Sequence, residues 1–169
     1  MGLPAKLKNL NLFNEGQSYL GIIAELTPPK ITHATEDWRG GGMLGPVKID
    51  NGLEAMEVEY TLGGYSSQIV SQSGQLAIDG TLVRAVGAFQ SDQYGAVDQV
   101  ELVMIGRQTE RDPGNWKPGD DTEIKVKHAL TYYKEIVNGR DLIEIDMIAG
   151  IYIVDGVDRY AAIRAAIGG

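Results

Sequence analysis

Cysteine is absent from the 169 residues, and that omission removes disulfides, thiolate metal sites and thiol nucleophiles together. Histidine is nearly absent: His33 and His128 are the two in the chain, and neither has a companion at metal-ligand spacing. A lone histidine of this kind reads as a strand residue. No apolar run approaches the roughly 20 residues needed to cross a bilayer. The opening Met1-Gly2-Leu3-Pro4-Ala5-Lys6 lacks a signal-peptide core, so the chain is expected to stay in the cytoplasm of the cell that makes it, without a membrane anchor. Positive charge is scarce too. Fifteen Lys and Arg against 23 Asp and Glu give a formal charge of −8, the wrong sign for gripping nucleic acid by its phosphates. The same sign suits a surface that DNA must pass without sticking.

What is present is alternation. Met56, Val58, Tyr60 and Leu62 interleave with Glu57, Glu59 and Thr61, a period of two that predicts a half-buried strand with carboxylates outward. Residues 81–90 and 97–108 predict a hairpin, with Val100, Leu102 and Met104 on one side and Gln99, Glu101 and Val103 on the other. Residues 123–137 predict a long strand with Ile124, Val126, Leu130 and Tyr132 in phase, and Asn138-Gly139 is a strong hairpin turn before a return strand over 141–147. Leu10-Asn11-Leu12-Phe13, the turn at 14–16 and residues 19–26 read as an N-terminal hairpin that Pro28-Pro29 closes. A short helix is expected over 65–74. Apolar residues from Val157 to Ile167 fall at helical spacing and predict an amphipathic C-terminal helix.

The sum is one domain over residues 1–169, mainly β: an antiparallel β-sandwich or partial barrel with one short helix and a C-terminal helix. Residues 37–52, containing Trp38, Arg39, Gly40, Gly41, Gly42, Met43 and Leu44, read as a long aperiodic excursion that docks on something. Trp38 and Trp116, each in a glycine-rich loop, fit either a plug under the loop or an anchor at a subunit contact.

No catalytic set emerges. Gly40-Gly41-Gly42 has no Lys-Ser or Lys-Thr pair after it and opens no helix, so it is no phosphate cradle. Asp112, Asp120, Asp121 and Glu123 do not have the spacing of a twelve-residue calcium loop. The serines lack a nucleophile-elbow context. The expectation is no enzyme and no cofactor, with a small-molecule-binding β-barrel as the competing class.

The order and spacing of several segments resemble the major tail tube proteins of contractile-tailed phages and R-type pyocins along nearly the whole chain. They include Leu26-Thr27-Pro28-Pro29-Lys30, Arg39-Gly40-Gly41-Gly42-Met43, Ile49-Asp50-Asn51-Gly52-Leu53-Glu54-Ala55-Met56-Glu57 and Asp112-Pro113-Gly114-Asn115-Trp116-Lys117-Pro118-Gly119. The resemblance implies a subunit whose sheets join those of its neighbours into a ring-shaped barrel. Homohexameric rings would stack into a hollow tube inside a contractile sheath, a conduit for DNA passage or membrane puncture. The partners implied are identical copies, the sheath protein, and baseplate and tail terminator proteins, with DNA crossing the lumen without specific binding. The place implied is the virion tail or a tailocin particle. Residues 37–52 become an extended stacking loop, with Trp38 to Leu44 and Trp116 as contact candidates. Glu57, Glu59, Gln99 and Glu101 become candidates to face the lumen and repel phosphates.

Overall fold

A computed structural model describes residues 2–169, so Met1 of the expected domain lies outside the described residues. The chain opens with β1 (Lys6–Asn14), turns through Glu15-Gly16 and returns in the two-residue β2 (Gln17–Ser18). The expected N-terminal hairpin therefore stops early. Tyr19 drops into the core, its hydroxyl 2.5 Å from Gln68 Oε1 and 2.9 Å from Ser66 Oγ. After that break β3 (Ile23–Thr27) crosses to pair with β6 (Met56–Leu62), while β1 runs along β7 (Thr81–Gln90). The short helix α1 (Ser67–Ser71) closes one end, burying Ile69.

β7 pairs residue for residue with β8 (Val97–Asp112) from Gln90↔Val97 to Thr81↔Gly106. β8 pairs in turn with β9 (Ile124–Val137), and these two long strands form the spine of the fold. Asn138 and Gly139, at φ 50° and 79°, make the tight turn into β10 (Arg140–Asp146); positive φ at both positions matches the twist of the flanking strands. β11 (Ile151–Val154) and β12 (Val157–Asp158) complete a sheet of order β12-β11-β10-β9-β8-β7-β1-β2, antiparallel throughout.

A bulge converts this sheet into two walls. Ile105 faces Tyr132 but the next residue, Gly106, faces Leu130, leaving Thr131 with no residue opposite it in the β8 register. Its carbonyl accepts the Met147 N–H instead, at 2.9 Å. The strands approach so closely here that a Cβ on residue 106 would lie 2.0 Å from the Ala129 carbonyl oxygen, which explains the glycine. The extra residue also reverses the phase of β9. Ile124, Val126 and Leu130 point inward as expected, but beyond the bulge Tyr133 is buried and Tyr132 is not. The edge of β9 opposite β8 carries β6 before the bulge and β10 after it. β3-β6-β9 thus forms one wall and β1-β7-β8-β9-β10 the other, an open sandwich and not a closed barrel.

The core lies between them. Met56, Val58, Tyr60 and Leu62 from β6 meet Leu12, Val83, Leu102, Met104 and Ile145 from the opposite wall. Each fully buried aliphatic side chain contributes about 1.5–3 kcal/mol.

Residues 37–52 are irregular only over 39–46. β4 (His33–Trp38) and β5 (Val47–Leu53) pair from His33↔Leu53 to Trp38↔Val47 as a two-stranded sheet separate from the main one; we call it the arm. The predicted C-terminal helix is cut back. Val157 belongs to β12, and the helix α2 spans Ala161–Ala166 and buries none of its residues; Ile167 is 81% exposed. A two-residue strand and a turn happen to mimic the helical spacing up to Tyr160.

Candidate functional site

The surface features that stand out on this fold are exposed apolar side chains, and the arm displays them most prominently. Cross-strand pairing puts Trp38 beside Val47 and Glu36 beside Ile49, so one face of the arm carries Trp38, Val47 and Ile49 with Glu36 among them. The other face is polar, with Lys48 Nζ 2.9 Å from Asp37 Oδ1 and His33 Nδ1 3.0 Å from Asp50 Oδ2. At the tip the Gly40 N–H donates to Met43 Sδ at 2.9 Å, and the Met43 N–H donates to the Gly40 carbonyl at 3.3 Å. Gly41 and the left-handed Gly42 complete the turn. Trp38 is 58% exposed and Leu44 fully so. Arg39 is exposed and has no carboxylate partner among the described residues.

The root of the arm is fastened to the body. His33 Nε2 lies 3.4 Å from the Tyr152 hydroxyl, the two rings meet edge to face at 5.8 Å, and Tyr152 meets Tyr160 the same way. The Gly52 N–H donates to Asp50 Oδ1 at 2.8 Å and, with a lesser contribution from His33, holds that carboxyl below its usual range.

Trp116 is 75% exposed on a separate loop, the 113–123 connection. Neither tryptophan is a plug in the core. The four acidic and neutral candidates do not share a surface. Glu57 and Glu59 alternate with buried Met56 and Val58 and face out from the β3-β6-β9 wall, with Glu59 opposite Lys127. Gln99 and Glu101 face out from the other wall, where Glu101 pairs with Arg84 and the Arg84 guanidinium sits 4.9 Å over the Phe13 ring. Alternation identifies the outward residues of each strand but not which wall the strand joins.

Two features carry no clear mark in the sequence. The first is an apolar trough of about 450 Å³ on the inner side of the larger wall, where the smaller wall falls short. Leu7, Leu10, Leu26, Pro28, Phe89 and Val100 line it, and Glu135 lies at its margin, accepting the Tyr133 hydroxyl proton at 3.0 Å. The second is a buried polar cluster. The Tyr60 hydroxyl lies 2.9 Å from His128 Nε2 with the rings stacked 5.5 Å apart, and Asn14 Nδ2 donates to the same hydroxyl at 3.2 Å. Asn14 and Gln72 exchange side-chain hydrogen bonds. Burial pushes the His128 imidazole down to about 4 and the Tyr60 phenol up. His128 Nδ1 and Gln108 Oε1 are both buried without a partner, and these residues face each other across β8 and β9. The phase of β9 offers a faint signal: His128 occupies the inward position between Val126 and Leu130.

Among the described residues no three His, Asp or Glu side chains gather to hold a metal, and no helix is long and apolar enough to cross a membrane. The chain matches the family described as phage tail tube protein FII over residues 4–168. It is 40% identical over 171 residues to the tail tube protein of Escherichia phage P2, covering 99% of this chain and 99% of that one. It is 39% identical over 162 residues to the major tail tube protein of Serratia phage KSP20, covering 95% of this chain and 93% of that one. Its fold is similar to a chain of the PVC extracellular contractile injection system, from the sheath-tube complex in its extended state. That similarity has a TM-score of 0.58 over 78% of this chain and 90% of the other, at 8% identity. A match that runs from end to end at this identity places the chain: it belongs to the phage tail tube protein FII family.

Proposed function

We propose that this chain is the repeating subunit of a hollow tail tube. Six copies close into a ring, rings stack head to tail, and the tube stands inside a contractile sheath between baseplate and terminator proteins. It has no catalytic role. The observation that carries this reading is the full-length match to the P2 tail tube protein. The open sandwich supports it, because residues 6–11 of β1 lack a strand on their outer side and the opposite edge ends in the two-residue β12. Free edges invite pairing, and a closed ring uses them up.

The larger wall carries both of those edges, so it is the wall that ring closure extends, and its outer face, with Gln99 and Glu101, lines the channel. Glu57 and Glu59, on the opposite face, then meet the sheath. Stacking of rings falls to the arm, with Trp38 and Leu44 in contact. A ligand-binding barrel is the weaker reading, since the sandwich does not close around a cavity. Electron microscopy of the purified chain at high concentration should show hollow stacked rings. A monodisperse monomer under every assembly condition, with sheath and baseplate proteins supplied, would refute the proposal.

A further inference from the structure

Asn51 and Asn138 each precede a glycine, and that dipeptide has a chemistry of its own. Glycine has no Cβ to hinder its backbone nitrogen, which can attack the side-chain Cγ of the preceding asparagine. The amide nitrogen leaves as ammonia and a cyclic imide remains. Water then opens the ring at either carbonyl, giving aspartate or isoaspartate, in which the chain runs through the side-chain carbon. One water is consumed and one ammonia released, and nothing is oxidised or reduced.

The fold treats the two sites differently. Asn138 is held at both ends of its amide: Nδ2 donates to Asp98 Oδ1 at 2.9 Å, and Oδ1 accepts the Gln99 N–H at 2.9 Å. Bringing Cγ onto the Gly139 nitrogen breaks both bonds, and the one to a carboxylate is of the stronger kind. Asn51 is exposed, and among the described residues no hydrogen bond holds its side-chain amide. It also lies where β5 bulges. His33 faces Leu53 and Thr35 faces Asp50, so Ala34 alone stands against both Asn51 and Gly52. Gly52 takes a φ of 100°, and the regular ladder is interrupted there.

We infer that Asn51 is a site of spontaneous deamidation in the folded chain, that Asn138 is protected by its clamp, and that conversion at Asn51 loosens the root of the arm. The last step follows from the present role of the Gly52 nitrogen. Its N–H donates to Asp50 Oδ1 at 2.8 Å, while Asp50 Oδ2 lies 3.0 Å from His33 Nδ1 at the base of β4. In the imide this nitrogen carries no proton, so Asp50 loses a donor. Ring opening returns the N–H but sets a second carboxylate next to Asp50, where like charges repel. The isoaspartate product also adds a backbone carbon between Asp50 and Leu53, and Leu53 is the residue paired with His33.

The test uses dilute full-length chain, incubated warm at mildly alkaline pH with and without urea, and does not depend on assembly. Trypsin releases residues 49–84, whose one asparagine is Asn51, and residues 135–140, which hold Asn138. In the folded chain the first peptide should gain about one dalton, the mass of an amide exchanged for an acid, at least tenfold faster than the second. In urea the two should convert at comparable rates. Asp98→Ala should speed conversion of Asn138 severalfold in the folded chain. The converted fraction, separated by its extra negative charge, should exchange its arm amides severalfold faster than the unconverted fraction, with β9 unchanged. Equal rates at the two sites in the folded chain would overturn the inference. So would a folded chain in which residues 49–84 keep their mass while urea converts both peptides. An unchanged Asn138 rate in Asp98→Ala would remove the clamp, and equal exchange of the arm in the two fractions would remove the loosening.

Discussion

His128 should make the dispersed subunit sensitive to mild acid. In the unfolded chain its imidazole titrates near 6.5, while in the fold burial among Tyr60 and the apolar wall pushes it down to about 4. Between those values the unfolded state takes up a proton that the folded state refuses, so stability is complete above pH 6.5 and is lost as the pH falls toward 4. At about 1.4 kcal/mol per pH unit, the interval amounts to roughly 3 kcal/mol, a large share of the roughly 5–15 kcal/mol that holds a domain together. Asp50 and Asp158 act lower on the scale. The Gly52 N–H and the Arg164 guanidinium respectively hold their carboxyls below 3.8, so the stability they add is lost beneath this window. The assay is urea unfolding of dilute subunit at steps from pH 7.5 to 4, followed by tryptophan fluorescence and circular dichroism. With a slope of roughly 2 kcal/mol per molar urea, the midpoint should fall by about 1.5 M across the window. His128→Gln keeps an acceptor for the Tyr60 hydroxyl but has no titrating group, and it should start less stable and lose much less on acidification. Equal losses in both proteins would refute the argument.

Other consequences are quicker to check. Gly106→Ala forces a methyl into the Ala129 carbonyl and should destabilise the subunit by about 3 kcal/mol or more in the same urea assay. Trp116→Ala, at a largely exposed site, should change stability by less than about 0.5 kcal/mol; any effect it has should appear in assembly by electron microscopy. Leu62→Ala, fully buried on β6, should lose about 3 kcal/mol. The double variant Glu57→Lys/Glu59→Lys should leave rings intact by microscopy while weakening co-assembly with sheath, and Glu101→Lys should leave both the rings and the co-assembly with sheath intact; sheath binding lost in Glu101→Lys and kept in the double variant would reverse the assignment of the two faces.

The long strands are legible in the sequence because their signal is local. Val58 and Tyr60, Leu102 and Met104, or Ile124 and Val126 each report the inward phase from two residues away, and Asn138-Gly139 reports its turn by conformation alone. What stays hidden depends on distant partners. Nothing around Thr131 announces a bulge, because the bulge exists only in the register between β8 and β9, and so alternation points to Tyr132 where the fold buries Tyr133. The arm looks aperiodic because its alternation, Val47 and Ile49 between Lys48 and Asp50, is short, and the Trp38 that completes its apolar face lies across the ribbon, beyond the glycine-rich tip. The polar cluster draws Asn14, Tyr60, Gln72 and His128 from four elements, none of which signals the others. The acidic candidates do face outward, but they are sorted to opposite walls by a topology that alternation does not encode.

These hidden features share a cause that bears on assembly. The readable parts, β6 through β9, build the core and bury nearly all of its side chains within one molecule. The parts that do not finish themselves lie at the periphery: the arm with an uncovered apolar face, α2 with no buried residue, the β1 edge without a strand beside it. Local unfolding free energies follow such differences in burial. Amides of β6 and the first half of β9 should therefore exchange last in the dispersed subunit, with those of the arm and α2 among the first. If peripheral contacts between copies build the tube, assembly must slow exchange in the arm and along residues 6–11 far more than in the core, where little exposed surface remains to bury. Protection gained uniformly across the chain would instead mean that the core itself tightens on assembly, and the division between a finished interior and an unfinished rim would be wrong.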